Sequence, residues 1–164
     1  MAYLTQKTIS RPVSFNGIAL HSGKIVNVCI KPANPNHGVV FKRIDLDDNN
    51  LVYPNFMNVT NTSLNTTVEN EFGVKVSTVE HLMGALFGLG IDNVLIEIDN
   101  EEVPILDGSA KEFIQKILSS GFDISDKPIK IVKIKKKVEY SDGERFITIE
   151  PSTLSLNIDF ELKY

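Results

Sequence analysis

Ser77-Thr78-Val79-Glu80-His81-Leu82-Met83-Gly84-Ala85-Leu86-Phe87-Gly88-Leu89-Gly90 carries a helix start, a helix face and a helix stop. Ser77 and Glu80 stand at capping-box spacing ahead of an apolar run. Val79, Leu82, Met83, Leu86 and Leu89 recur at helical spacing and predict one stripe turned to a core. Gly88 and Gly90 supply the stop. Glu80 and His81 then fall side by side in the first turn, about 100° apart around the axis. A carboxylate next to an imidazole can be a general base next to a metal ligand. Equally, Glu80 can be the capping partner of Ser77, and His81 an ordinary surface histidine. Neither H-E-x-x-H nor H-x-x-E-H is present, because position 85 is Ala and position 77 is Ser.

Upstream of this helix, residues 4–11, 25–31 and 38–43 are rich in β-branched types and predict strands. Cys29 belongs to the second of them and reads as structural. The stretch Gly17 to Gly23 between the first two predicts an irregular loop. It carries His21, which has no partner nearby in sequence. His37, among Pro and Asn, reads as a surface turn residue. Asp45 to Asn50 has turn composition, and residues 51–76 are irregular. Within them, Asn61-Thr62-Ser63-Leu64-Asn65-Thr66-Thr67 predicts a hairpin or loop with Leu64 exposed.

Downstream, Asp92 to Asp99 alternates cleanly, with Val94, Ile96 and Ile98 on one face. Asp107 then reads as an Asx-turn residue. Ser109 and Glu112 form a second capping box, opening a helix with Phe113, Ile114, Ile117 and Leu118 on one side and Gly121 as its stop. Asp123 to Pro128 is short, polar and ended by proline, and predicts a linker. Strands are expected over 129–139, 144–150 and 154–162, the first two joined at Asp142-Gly143. These three strands have one apolar face, no partner layer and no helix after them, so this part of the chain reads as incomplete.

Composition limits the function. Apolar residues make up 42% and charged residues 23%, as in soluble globular proteins. A net charge of −4 with no basic face argues against nucleic acid as a partner. The run Lys130 to Lys137 alternates with Ile and Val and reads as a solvated strand face. The opening residues lack the apolar stretch of a signal peptide, and no apolar run reaches membrane-span length. A single cysteine excludes an internal disulfide and fits a reducing cytosol.

Four blocks in order resemble the UDP-3-O-acyl-N-acetylglucosamine deacetylases of bacterial lipid A synthesis. They are Gly17-Ile18-Ala19-Leu20-His21-Ser22-Gly23, Ser77 to Leu82, Gly88-Leu89-Gly90-Ile91-Asp92-Asn93, and Val103-Pro104-Ile105-Leu106-Asp107-Gly108-Ser109-Ala110. The resemblance runs from about Gln6 to Tyr164. It implies the fold class α+β, with two similar domains, each a two-layer sheet-and-helix unit, and the active site between their helical layers; residues 1–126 would be the first domain and residues 127–164 the opening, incomplete sheet of the second. It also implies a Zn2+ cofactor with His81 as a ligand and Glu80 as the general base. Leu64, Asn65, Thr62, His21 and Asp107 would border the substrate, UDP-3-O-acyl-N-acetylglucosamine. Ser63 and Asn65 depart from the family's frequent Met and Cys at those places. The family's remaining zinc ligands, the His and Asp of an H-x-x-x-D motif, and a further catalytic His belong to the second domain and are not in this chain. Residues 1–164 alone are thus expected to bind zinc weakly or not at all. The full-length protein is expected to be a cytoplasmic monomer. The alternative is a non-catalytic module, derived from that enzyme, that binds substrate or a partner.

Overall fold

The computed structural model describes residues 4–152 and 156–161. Its strands are β1 (Thr5–Ile9), β2 (Val13–Ile18), β3 (Ile25–Pro32), β4 (Val39–Arg43), β5 (Leu51–Val52), β6 (Val59–Asn61), β7 (Thr67–Glu69), β8 (Lys75–Val76), β9 (Val94–Ile98), β10 (Phe122–Pro128), β11 (Val138–Asp142) and β12 (Arg145–Ile149). Helix α1 (Glu80–Leu89) lies between β8 and β9, and α2 (Lys111–Ser119) between β9 and β10. The chain divides into two compact units, Met1–Ile129 and Lys130–Tyr164.

The first unit is built on a five-stranded sheet in the order β2-β3-β9-β4-β5. Its pairs are antiparallel except β4 with β9. Strict alternation sets its two faces. Val26, Val28 and Ile30 of β3 and Val94, Ile96 and Ile98 of β9 are buried. The register places Val28 opposite Ile98, Ile30 opposite Ile96, and Phe41 opposite Ile96 from the other side, so these residues share the inner face. Lys31 and Glu97 pair at 2.7 Å on the outer, polar face. The helices cover the inner face. Leu82, Ala85 and Leu86 of α1 and Phe113 and Ile117 of α2 join the same core. The ring of Phe113 meets Phe15 of β2 edge-on, centroids 5.7 Å apart. This is the predicted sheet-and-helix α+β architecture.

A three-stranded antiparallel sheet, β6-β7-β8, leads into α1. A further antiparallel pair joins β1 to β10. Arg43, buried at the end of β4, forks onto the Asp45 carboxylate at 2.8 and 2.6 Å and donates to the Lys75 carbonyl at 2.9 Å. It therefore ties the large sheet to β8.

Several local readings are corrected. Val13 to Ile18 is a strand, although Gly17 breaks its apolar alternation. Gly17 occupies an inward position where a Cβ would lie 2.9 Å from Pro104 Cβ and 2.9 Å from Leu106 Cδ2, so the chain has no side chain there. Residues 123–128 are not a linker. They form most of β10, an edge strand held by β1, which tolerates polar residues and a terminal proline because it pairs on one side. Neither capping box forms. The N-cap of α1 is Val79 and that of α2 is Ala110, each without a side-chain cap hydrogen bond. Ser77 Oγ instead donates to the Glu101 carbonyl, and Glu80 accepts from Thr66. Of the two glycines read as the stop, Gly90 is it: at φ +66 it donates its N–H to Leu86 and Phe87, while Gly88 lies inside α1. Leu118 is half exposed rather than on the buried side of α2.

In the second unit, β11 and β12 form a hairpin in which Asp142 pairs with Arg145. The turn residues are thus Gly143-Glu144, one position later than read, with Gly143 at φ +59 as a type II′ turn requires. Val138, Tyr140, Ile147 and Ile149 share one face of this hairpin and are exposed. The strand expected over 129–139 is absent from 129–137, where the lysine-rich run takes no strand conformation and is mostly exposed. Of the strand expected at 154–162, residues 156–161 form no strand, and 154, 155 and 162 lie outside the described residues.

Candidate active site

The pieces meet ahead of α1. Segment 101–103 runs alongside Ser77 as a short parallel bridge. Ser77 N–H donates to the Glu101 carbonyl at 2.8 Å and Val103 N–H donates to the Ser77 carbonyl at 3.0 Å. Two residues further, Ile105 N–H donates to Ile18 at the end of β2. The stretch 101–106 thus stitches the end of β2 to the turn before α1. That turn is tight: Thr78 has φ +56, a left-handed conformation that a β-branched residue rarely adopts. The strained turn sends the chain straight from β8 into the helix, so Glu80 is its first residue and His81 its second.

Glu80 is exposed and His81 half-buried. The Thr66 N–H donates to Glu80 Oε2 at 3.1 Å, and the Val79 N–H reaches back to the Thr66 carbonyl at 3.4 Å. Among the described residues Oε1 of Glu80 takes no hydrogen bond. Leu64, two residues before Thr66, is 90% exposed at φ +66, so an apolar side chain stands in solvent next to the carboxylate's anchor. Asn65 turns inward: its Nδ2 donates to Thr78 Oγ1 at 3.3 Å and its Oδ1 accepts from Thr67 Oγ1 at 3.1 Å. Thr62 is exposed in the same loop.

His21 projects from the turn Ala19–Lys24, which is closed by Ala19 N–H to the Lys24 carbonyl at 2.9 Å. Its backbone N–H donates to Glu102 Oε1 at 2.8 Å, and the N–H of Ser22 donates to Oε2 at 2.9 Å. Thr78 Oγ1 donates to Oε1 as well, at 3.2 Å. Glu102 is 2% exposed. Burial pushes its carboxyl up, but the His21 and Ser22 amides and the Ser22 and Thr78 hydroxyls together outweigh that and hold it below its ordinary value. The sequence reading did not single it out. As the second acid of Glu101-Glu102 it looks like a solvated turn residue, and no period marks it.

Asp107 is exposed at the entry to α2. Its Oδ1 accepts from Ser109 N–H at 3.0 Å, and Ser109 Oγ shares a proton with both carboxylate oxygens. The Asx turn is therefore formed. Among the described residues no hydrogen bond joins Asp107 to Glu80, His81 or His21. Hydrogen bonds thus connect the stretch bearing Leu64 and Asn65, the Thr78 turn that leads to Glu80 and His81, and, through Glu102, the turn bearing His21; among the described residues none ties Asp107 to them. A depression of about 510 Å³ lined by Asn49, Asn50, Tyr53, Asn58, Asn70 and Phe72 holds none of them. Asn70 there spends its amide on the Asn49 and Leu51 carbonyls, so its role is structural.

A catalytic zinc site takes three protein ligands. Among the described residues no three His, Cys, Asp or Glu side chains come together in that way. The described residues do not by themselves fit a complete zinc site.

Comparison with known proteins accounts for most of the chain. Residues 6–164 match the family model described as UDP-3-O-acyl N-acetylglycosamine deacetylase. A protein of Actinobacillus succinogenes named UDP-3-O-acyl-N-acetylglucosamine deacetylase is 41% identical over 160 residues, covering 96% of this chain and 52% of its own length. Proteins with the same name from Pseudoalteromonas atlantica and Haemophilus influenzae are 39% and 41% identical, each with 53% of its length covered. The chain spans about half the length of the curated relatives it matches.

Proposed function

Because the chain belongs to the UDP-3-O-acyl N-acetylglycosamine deacetylase family, we propose that its protein hydrolyses the N-acetyl group of UDP-3-O-(hydroxyacyl)-N-acetylglucosamine and releases acetate in lipid A biosynthesis. The observation that carries this reading is Glu80. Its carboxylate is exposed, one oxygen is anchored by Thr66 N–H, and the other takes no hydrogen bond among the described residues. Such a group is oriented yet able to accept a proton.

In this reading Glu80 Oε1 takes a proton from water as the water oxygen attacks the acetamide carbonyl. When the C–N bond breaks, acetate leaves and the glucosamine nitrogen gains a proton. Zinc, when bound, polarises the carbonyl and lowers the pKa of the attacking water. His81 would be one of its ligands, and the others would come from outside residues 4–161. Leu64, exposed beside the Thr66 anchor, would offer apolar surface to the substrate, and Asn65 would hold the Thr78 turn. The protein would act in the cytoplasm as a monomer.

The test uses the full-length protein. Glu80→Ala should retain zinc and lose roughly 10²-fold or more in rate, as expected for removal of a general base. His81→Ala should lose both metal and activity. Full activity in Glu80→Ala would refute the general-base assignment. The alternative of a non-catalytic module would be favoured by substrate binding without acetate release in the unmutated protein.

A further inference from the structure

Glu102 is a buried carboxylate whose partners are the His21 and Ser22 amides and the Ser22 and Thr78 hydroxyls; among the described residues no Lys, Arg or His pairs with it. Burying a charge without a counter-ion is costly unless hydrogen bonds replace its hydration. The donors that do so come from two places far apart in sequence. His21 and Ser22 lie 81 and 80 residues away, and Thr78 lies 24 away. One place carries a candidate site histidine, and the other is the strained turn that launches Glu80 and His81. A left-handed Thr persists only where its surroundings over-determine it. Here those surroundings are the Glu102 carboxylate, the Asn65 amide and the Ser77 ladder.

We infer that Glu102 is a positioning residue of this site: its two oxygens lock the His21 turn to the Thr78 turn and so set His21 against the Glu80-His81 pair. The inference rests on the reading of Glu80 and His81 as the working pair. The role needs a carboxylate. Each oxygen accepts from an amide that cannot move far, so a glutamine would present its own NH2 to one of those N–H groups, and one of the two bonds must break. Aspartate is one methylene too short to reach both turns.

Glu102→Gln in the full-length protein tests this with two readouts. The first is steady-state deacetylation of UDP-3-O-acyl-N-acetylglucosamine. The expected result is a fall in kcat of about tenfold or more with KM within about twofold, since small misplacements of reacting groups are costly. The second is the NMR signals of the His21, His37 and His81 rings in the unliganded full-length protein. Those of His21 and His81 should move, while His37, which bonds at Gly38, should stay. Thr78→Val, nearly isosteric and lacking only the hydroxyl, should show the same signature at smaller amplitude and covers the case in which Glu102→Gln does not fold. Unchanged His81 signals with unchanged kcat would overturn the inference and leave Glu102 a merely structural residue. If the unmutated protein has no deacetylase activity, the functional reading falls, while the His81 signals still decide the role of Glu102.

Discussion

Gly17→Ala would place a methyl group where the chain leaves no room. Its Cβ would sit 2.9 Å from two atoms, Leu106 Cδ2 and Pro104 Cβ. The first is the end of a flexible side chain and can swing away. The second is part of a rigid ring in a buried residue. That residue is held on both sides, by Val103 N–H on Ser77 and Ile105 N–H on Ile18, each at 3.0 Å. Pro104 cannot retreat without stretching those bonds, so the clash falls on packing, where overfilling costs about 1–3 kcal/mol. Replacing glycine also restricts the unfolded chain, which favours the variant by about 0.4–1 kcal/mol. The balance is a loss of about 1–2 kcal/mol. With a urea m-value of about 2 kcal/mol/M, the unfolding midpoint should drop by about 0.5–1 M at constant slope. A midpoint equal to or above that of the unmutated protein would refute the reasoning, because the Pro104 segment would then yield freely.

Phe113→Ala, which removes a fully buried ring packed on Phe15, should cost about 3–5 kcal/mol by thermal unfolding. Arg43→Lys should cost about 1–2 kcal/mol in urea unfolding, because an ammonium cannot fork onto Asp45 and still reach the Lys75 carbonyl. Acid should weaken the fold through Glu102 and Asp45. The Arg43 guanidinium lowers the Asp45 carboxyl from its ordinary 3.8, and the amide and hydroxyl donors lower that of Glu102 from 4.5. A carboxyl lowered by folding stabilises the protein above its unfolded value and loses that stabilisation as pH falls through the folded one. Urea midpoints should therefore hold from pH 7 to about 5 and decline below pH 4.5. The decline should be shallower in Glu102→Gln, and an equal slope would contradict the assignment.

The elements that were legible in the sequence are those whose periodicity is set by one core face. Val94, Ile96 and Ile98 announce β9, and Leu82 and Leu86 announce α1, because burial selects side chains at a fixed spacing. Strand β2 was hidden because its inward position at Gly17 is filled by Pro104 and Leu106, distant in sequence. Strand β10 was hidden because an edge strand needs no apolar face, and its Asp123 carboxylate even accepts from Ser10 Oγ at 2.6 Å. The capping spacings at Ser77 and Ser109 misled for different reasons: the Ser77 hydroxyl is claimed by the distant Glu101 carbonyl, whereas the Ser109 hydroxyl bonds locally, donating to Asp107 and accepting from Lys111 N–H. Among the candidate site residues, His21, Glu80, His81 and Asp107 lie in the blocks that carry the family resemblance, and Thr62, Leu64 and Asn65 follow from what that resemblance implies. Glu102 was in neither group, because its meaning lies in two turns that only the folded chain brings to it.

The pairing of β1 with β10 also sets an order of events in synthesis. Lys7 finds its partner only at Ile124, so the first strand leaves the ribosome about 115 residues ahead of the one that receives it. At about 5–20 residues per second that wait is roughly 6–23 s. During it the apolar flank of Ile9, later sealed in the core, stays open to chaperones or to other nascent chains. The first unit can close only when its last strand arrives, so whatever slows translation near residue 120 prolongs the period in which the chain is most prone to aggregate.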